Sequence, residues 1–303
     1  MYDICIIGAG SAGISSAVYA ASHGKKVAIF EKGTIGGRIR EVSNVTHYAG
    51  IMEIEEGSSF VERMETQLRS YPVDLIEENV VKTELTGDVK KVYTENECYE
   101  AKAVIIAGGT SARELDLPGL KEFKGRGTGL NAARDAKAYE GKDVFVIGGA
   151  DGAVKEAIYL SKFARKVTII HFEETLGTIS EFLDALVKKN NIKVRLHARL
   201  FAVEGETCVD RIILEDVHTG KKQYIESPGC GVFIYAGSLP NTQLYPELEK
   251  EDGYLVVDKY QATNIPGVFA AGDICAKQVR QVATAVNDGC IAGINAADYT
   301  NGK

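Results

Sequence analysis

The 303-residue sequence predicts an α/β protein made of two three-layer domains, and three observations carry that prediction. A single hydrophobic core stops growing near ~250–300 residues, so this length favours two cores. The composition, 45% hydrophobic and 25% charged with a mean hydropathy of −0.08, is that of a folded chain and not a disordered one. A strand–glycine–helix–strand unit then occurs twice, 140 residues apart, which makes both domains Rossmann-like.

The first unit opens with a strand over Asp3–Ile7, followed by Gly8-Ala-Gly10-Ser-Ala-Gly13, a helix over Ile14–Ala21 and a strand over Val27–Phe30. The three glycines serve different ends. Gly8 makes the tight turn, Gly10 lets the backbone approach a pyrophosphate, and Gly13 lets helix and strand pack closely. The helix N-terminus then favours the phosphates. Glu31, 23 residues after Gly8, stands at the tip of the second strand, where a carboxylate can take the ribose hydroxyls of a dinucleotide. The second unit runs from a strand over Asp143–Ile147 through Gly148-Gly-Ala150-Asp-Gly-Ala153 to a helix over Val154–Phe163 and a strand over Val167–Ile170. Ala150 occupies the place of Gly10, so a Cβ projects where a pyrophosphate would lie. His171-Phe172-Glu173-Glu174 closes that strand without an arginine for a 2′-phosphate.

Several classes of function fall away on composition. Net charge is −7, from 35 basic and 42 acidic residues, with no basic cluster that would grip nucleic acid. No stretch reaches the ~18 apolar residues of a membrane span, and Met1-Tyr2-Asp3 leads into a strand without a basic leader, so neither a membrane protein nor a secreted one is expected. Six cysteines lack any C-x-x-C pair and read as reduced thiols of a cytoplasmic protein, with no metal site among them. The acidic run from Glu53 to Glu56 reads as a solvated face.

Further residues give the chain a family likeness. Gly36-Gly37-Arg38-Ile39 follows Glu31, and an apolar strand from Ala103 ends in Ala107-Gly108-Gly109-Thr110. Gly267-Val-Phe-Ala-Ala-Gly-Asp273 precedes Arg280-Gln281-Val282 at a helix opening. With Pro118-Gly119 and Ser238-Leu-Pro240-Asn241, the sequence resembles the thioredoxin reductases, the two-domain FAD-dependent disulfide reductases, over nearly its whole length. The resemblance implies a homodimer with a discontinuous FAD domain, residues 1–113 and 240–303, and an inserted pyridine-nucleotide-type domain, residues 114–239. It implies FAD contacts from Gly8, Gly10, Gly13, Glu31, Gly36, Gly37, Arg38, His47, Val80, Ala107, Gly108, Asp273, Arg280, Gln281 and Val282. Val80 would meet the adenine, and Asp273 the ribityl or phosphate region.

The departures from that family point to function. Asn131 and Arg134 stand where the family's C-x-x-C carries electrons to thioredoxin, and neither can form a thiolate or a mixed disulfide. Of the family's signature for the NADPH 2′-phosphate, a histidine followed by two arginines, only His171 remains. NAD(P)H is therefore a doubtful donor, and the likeness extends to relatives that take electrons from ferredoxin. His47 replaces a family asparagine beside the flavin and is a candidate proton carrier or a hydrogen-bonding substitute. Cys275, two residues after Asp273, is a candidate exposed redox thiol. The expected function is an FAD oxidoreductase fed by a protein donor such as ferredoxin or flavodoxin, with an unknown acceptor. Alternatives are an NAD(P)H-dependent reductase of a small molecule or oxygen, and a non-catalytic flavin-binding sensor.

Overall fold

The computed structural model describes residues 1–51 and 55–302, so Glu53 and Ile54 of the acidic run lie outside the described residues. In chain order the first segment carries β1 (Tyr2–Ile7), α1 (Ser11–Ser22), β2 (Val27–Phe30), α2 (Gly57–Arg69), β3 (Val73–Ile76), β4 (Val80–Glu84), β5 (Lys90–Thr94), β6 (Cys98–Ile106) and β7 (Thr110–Ala112). There follow α3 (Ala132–Asp135), β8 (Asp143–Ile147), α4 (Asp151–Leu160), β9 (Lys166–Ile170), α5 (Ser180–Val187), β10 (Ile192–Arg195), β11 (Ala198–Glu204), β12 (Arg211–Asp216), β13 (Lys222–Glu226) and β14 (Gly231–Ile234). The chain closes with β15 (Ser238–Pro240), β16 (Lys250–Glu251), β17 (Tyr254–Leu255), β18 (Val268–Ala270) and α6 (Val282–Thr300). It divides into two compact units: Met1–Ser111 with Leu239–Lys303, and Ala112–Ser238.

In the first unit the strands follow the order β3-β2-β1-β6-β5-β4, with β18 also pairing β6. The β1, β2, β3 and β18 pairings are parallel, while β4-β5-β6 is an antiparallel meander. Both faces of β1 are covered, which explains why its sequence is a continuous apolar run and not an alternating one. Ile4 and Ile6 face α1 and α6, whereas Cys5 and Ile7 face a cluster with Val92, Tyr245, Leu248 and Leu255. The two helices approach closely because α6 carries small residues: a Cβ at Gly289 would meet the Ala12 carbonyl oxygen at 2.2 Å, and one at Gly293 the Ser16 oxygen at 2.6 Å. Ser15 donates to the Val286 carbonyl at 2.7 Å and locks the pair.

The second unit has a four-stranded parallel sheet, β10-β9-β8-β14, and a separate antiparallel sheet, β11-β12-β13. Val144, Val146, Val167 and Ile169 of the parallel sheet pack with α4, whereas Phe145, Ile147 and Ile170 turn to the antiparallel sheet. Both glycine-rich helices start earlier than the sequence indicates, at Ser11 instead of Ile14 and at Asp151 instead of Val154. Gly13 and Ala153 lie inside the first turn, where tertiary packing overrides glycine's weak helix propensity.

Candidate functional site

The site of the first unit is built where β1 hands over to α1. Gly8 has φ +104°, and a Cβ on it would strike the Ala107 carbonyl oxygen at 2.5 Å, so the turn and the approach to β6 both demand glycine. Gly13 is needed for packing, since its Cβ would lie 1.8 Å from the Gly8 oxygen. Gly10 differs: its backbone is extended, with φ −77° and ψ −175°, and a Cβ there would meet only the Gly36 oxygen at 4.0 Å. Space thus lies open in front of Gly10. Gly36 N–H donates to the Ala9 carbonyl at 2.8 Å, and a Cβ on Gly37 would lie 3.4 Å from the Gly10 Cα, so the glycine pair walls one side of the turn.

Glu31 reaches the same turn. Its carboxylate accepts from Ala9 N–H and from Gly33 N–H, each at 2.9 Å, which fixes the acid at the tip of β2. Arg38 donates to Thr110 Oγ1 at 2.9 Å, just past the Ala107-Gly108 end of β6. Val80 opens β4 and is buried, in one core cluster with Phe30 and Ile106. His47 is exposed, with Nδ1 3.1 Å from Thr46 Oγ1.

At the end of β18 the chain turns through Gly272, with φ +84°, into Asp273. A Cβ on Gly272 would come within 2.8 Å of the Ala12 Cβ, which puts this turn beside the first turn of α1. Asp273 Oδ1 is buried without a hydrogen-bond partner. Burial pushes its carboxyl above the ordinary carboxylate range, against the opposing pull of Lys277, Arg38 and Arg280. Arg280 brackets the loop by donating to the carbonyls of Asp273 at 3.4 Å and Cys275 at 3.2 Å while lying over the Tyr254 ring at 3.8 Å. Gln281 is the N-cap of α6, with its N–H donating to Thr284 Oγ1 at 3.1 Å, and Val282 is the first helical residue. Two residues that the sequence reading missed complete the turn. Buried Asp288 accepts from Gly272 N–H at 3.1 Å and pairs with Lys277. The available signal was an acid beside Gly289 in the half of α6 that packs through small residues.

These residues fit FAD. The open cradle before Gly10, a carboxylate at the β2 tip and an orphaned buried carboxyl oxygen at Asp273 are what a dinucleotide with a polar linker requires.

Cys275 corrects the sequence-based expectation of an exposed thiol. It is 1% exposed within the core cluster of Leu255 and Ile274, and burial pushes its thiol up to about 12. Cys275, two residues after Asp273, turns inward here because Leu255 pairs with it across an isolated bridge. Such a thiol stays protonated and unreactive.

In the second unit the turn keeps the shape of the first but not its space. Gly148 has φ +134°, and Ala150 holds φ −86° and ψ 175°, the same extended conformation as Gly10, with its methyl added. His171 is buried, with Nε2 3.1 Å from Glu173 Oε2, and its Nδ1 has no partner. The imidazole lies against the turn, because a Cβ on Gly149 would come within 2.5 Å of it. Asp151, in the first turn of α4, accepts from Thr178 Oγ1 at 2.8 Å and Ile179 N–H at 2.9 Å. Glu173 thus faces His171, while Glu174 is exposed. Asn131 is the N-cap of α3: its Oδ1 accepts from Arg134 N–H at 3.1 Å. Arg134 pairs with Asp135, whose carboxyl burial alone would raise but which Arg134 and the Asn131 N–H hold below the ordinary range.

Comparison with known proteins places the chain. Residues 2–289 match the family described as pyridine nucleotide-disulphide oxidoreductase. The chain is 35% identical to a thioredoxin reductase of Peptoclostridium acidaminophilum over 99% of this chain and 97% of that one. Lactococcus lactis thioredoxin reductase superposes with a TM-score of 0.96 at 31% identity, covering 100% of both chains. A ferredoxin-flavin thioredoxin reductase of Clostridium acetobutylicum superposes with a TM-score of 0.55 at 29% identity, over 100% of this chain and 99% of that one.

Proposed function

The chain belongs to the pyridine nucleotide-disulphide oxidoreductase family, as an FAD-dependent enzyme of thioredoxin-reductase type, and on that premise we propose that the flavin is its sole redox centre and is reduced by a protein donor such as ferredoxin or flavodoxin. The observation that carries this reading is the pair Asn131 and Arg134, engaged in capping α3 where the family's cysteine relay would stand. Support for a protein donor comes from the similarity to a ferredoxin-flavin thioredoxin reductase and from the methyl of Ala150 in the second turn.

FAD, when bound, supplies reversible uptake and release of electrons. This chain's own groups bind and orient it. Gly10 and the first turn of α1 would bring backbone N–H groups to the pyrophosphate, Glu31 would hold the ribose, and Arg38 would add positive charge. The carboxyl of Asp273, whose Oδ1 is buried without a partner, would accept a hydrogen bond from a hydroxyl of the cofactor. Arg280, Gln281 and Val282 would present the start of α6 to the ring system. His47, exposed on its loop, is placed to exchange a proton with solvent. We read the enzyme as a homodimer, as in its relatives.

A second reading, NADH as donor, is favoured by one observation: the backbone of Gly148–Ala150 retains the conformation of the first turn. Anaerobic addition of NADH, NADPH or reduced ferredoxin while following the flavin's long-wavelength absorbance separates the two. Faster bleaching by reduced ferredoxin than by either nucleotide supports the proposal, and faster bleaching by NADH overturns it.

A further inference from the structure

A cleft of about 430 Å³ opens in the second unit between the parallel sheet and β13, lined by Phe145, Lys166, Thr168, Lys193, Val194, Arg195, Gln223 and Ile225. Its size falls in the ~300–1,000 Å³ range of small-molecule sites. Phe145, Thr168 and Lys193 lie side by side across β8, β9 and β10, and on the same face Lys166 stands two positions before this row and Arg195 two positions after it. Gln223 and Ile225 face them from β13. This is the face turned away from α4, so the cleft is separate from the glycine turn at Gly148.

The lining is a set of donors without acceptor charge. Three cations meet there and no carboxylate does, in a chain whose acidic residues outnumber its basic ones by 42 to 35. Neighbouring arginines of the same unit find acids: Arg165 pairs with Asp143 at 2.9 Å, Arg199 with Glu215 at 2.8 Å, and Arg211 with Glu204 at 2.9 Å. Among the described residues, the side chains of Lys166, Lys193, Arg195, Thr168 and Gln223 make no hydrogen bond or ion pair. Three like charges line the cleft with no ion pair of their own, since Asp143, in register with Lys166 on β8, is turned to Arg165, and such a group favours an anion. A guanidinium fork, two ammonium groups, a hydroxyl and an amide match the several acceptor oxygens of a phosphoryl group. Phe145 and Ile225 add an apolar floor for an organic body.

We propose that this cleft binds a phosphoryl-bearing anion no larger than a mononucleotide, through Lys166, Lys193 and Arg195. Calorimetric titration of the FAD-loaded protein with AMP and with inorganic phosphate, at constant ionic strength, tests it. The wild type binds AMP with a millimolar or tighter constant, and the Lys166→Gln/Lys193→Gln/Arg195→Gln variant loses at least 50-fold. Inorganic phosphate binding as tightly as AMP makes the free ion the natural occupant, and weaker binding makes it an ester; both support the site. An affinity within threefold of wild type in the variant, or no binding of either probe up to 10 mM, overturns the proposal. The single Arg195→Gln variant, expected to lose about tenfold, carries the same comparison should the triple variant prove unstable.

Discussion

Replacing Gly10 with valine separates cofactor binding from folding. The backbone at this position, φ −77° and ψ −175°, suits a β-branched residue, and the nearest atom to a new Cβ is the Gly36 oxygen at 4.0 Å. The apoprotein's stability therefore changes by less than about 1 kcal/mol, the scale of an N-cap exchange. The side chain instead fills the space the pyrophosphate needs. Losing two backbone hydrogen bonds to a charged group, at ~1.5–3 kcal/mol each, weakens FAD by at least ~100-fold. The purified Gly10→Val protein is expected to be colourless and to melt with wild-type apoprotein, below the holoprotein, because only the ligand's mass-action contribution is gone. Gly13→Ala is the contrast: a Cβ 1.8 Å from the Gly8 oxygen forces backbone apart and costs about 3 kcal/mol or more with or without FAD. Absorbance ratio and thermal melts of both variants, with and without added FAD, read the outcome. Full flavin content in Gly10→Val would refute the site.

Three further outcomes follow from the same geometry. Thioredoxin is not reduced with NADPH, and restoring cysteines at both Asn131 and Arg134 is not sufficient, because the Ala150 methyl and the lost arginines remain; NADPH-driven insulin reduction in the presence of thioredoxin checks it. Asp273 holds its proton in the fold to higher pH than its ordinary 3.8, so its stabilising contribution is present below that value and is lost as pH rises through its raised folded value. Urea unfolding of apoprotein should accordingly show the wild type losing stability relative to Asp273→Asn as pH rises from about 4 towards neutral. Native protein at pH 8 should alkylate at exposed Cys98 and spare buried Cys275, as peptide mass mapping would show; rapid labelling of Cys275 contradicts its burial.

Much of this was legible in the sequence where local chemistry alone determines the outcome. The two glycine turns announce themselves because Gly8, Gly13 and Gly148 are demanded by backbone contacts within a few residues of each turn or by one adjacent strand. Glu31 follows from strand length alone. Residues fixed by distant packing were not legible. Cys275 faces inward because Leu255 bridges to it, and Asp288 steadies Gly272 from 16 positions away, a relation with no sequence period. The cationic cleft is hidden for the same reason: Lys166, Lys193 and Gln223 come from three strands whose registers only the fold supplies.

The central claim, that electrons enter from a protein and not from a pyridine nucleotide, is tested most directly by anaerobic stopped-flow reduction of the FAD-loaded protein. Phe172 and Glu173 follow His171 directly, where the resemblance places two arginines, and Glu174 comes next; each unit negative charge within ~6 Å of a 2′-phosphate costs roughly 2–3 kcal/mol at an effective dielectric of 20, before salt screening. Glu173 Oε2 lies 3.1 Å from His171 Nε2 and Glu174 is exposed, and both acids and the missing arginines weigh against a 2′-phosphate. Reduced ferredoxin is expected to bleach the flavin within the mixing and early millisecond range, NADH slowly, and micromolar NADPH not on that timescale. Rapid bleaching by micromolar NADPH would contradict the account.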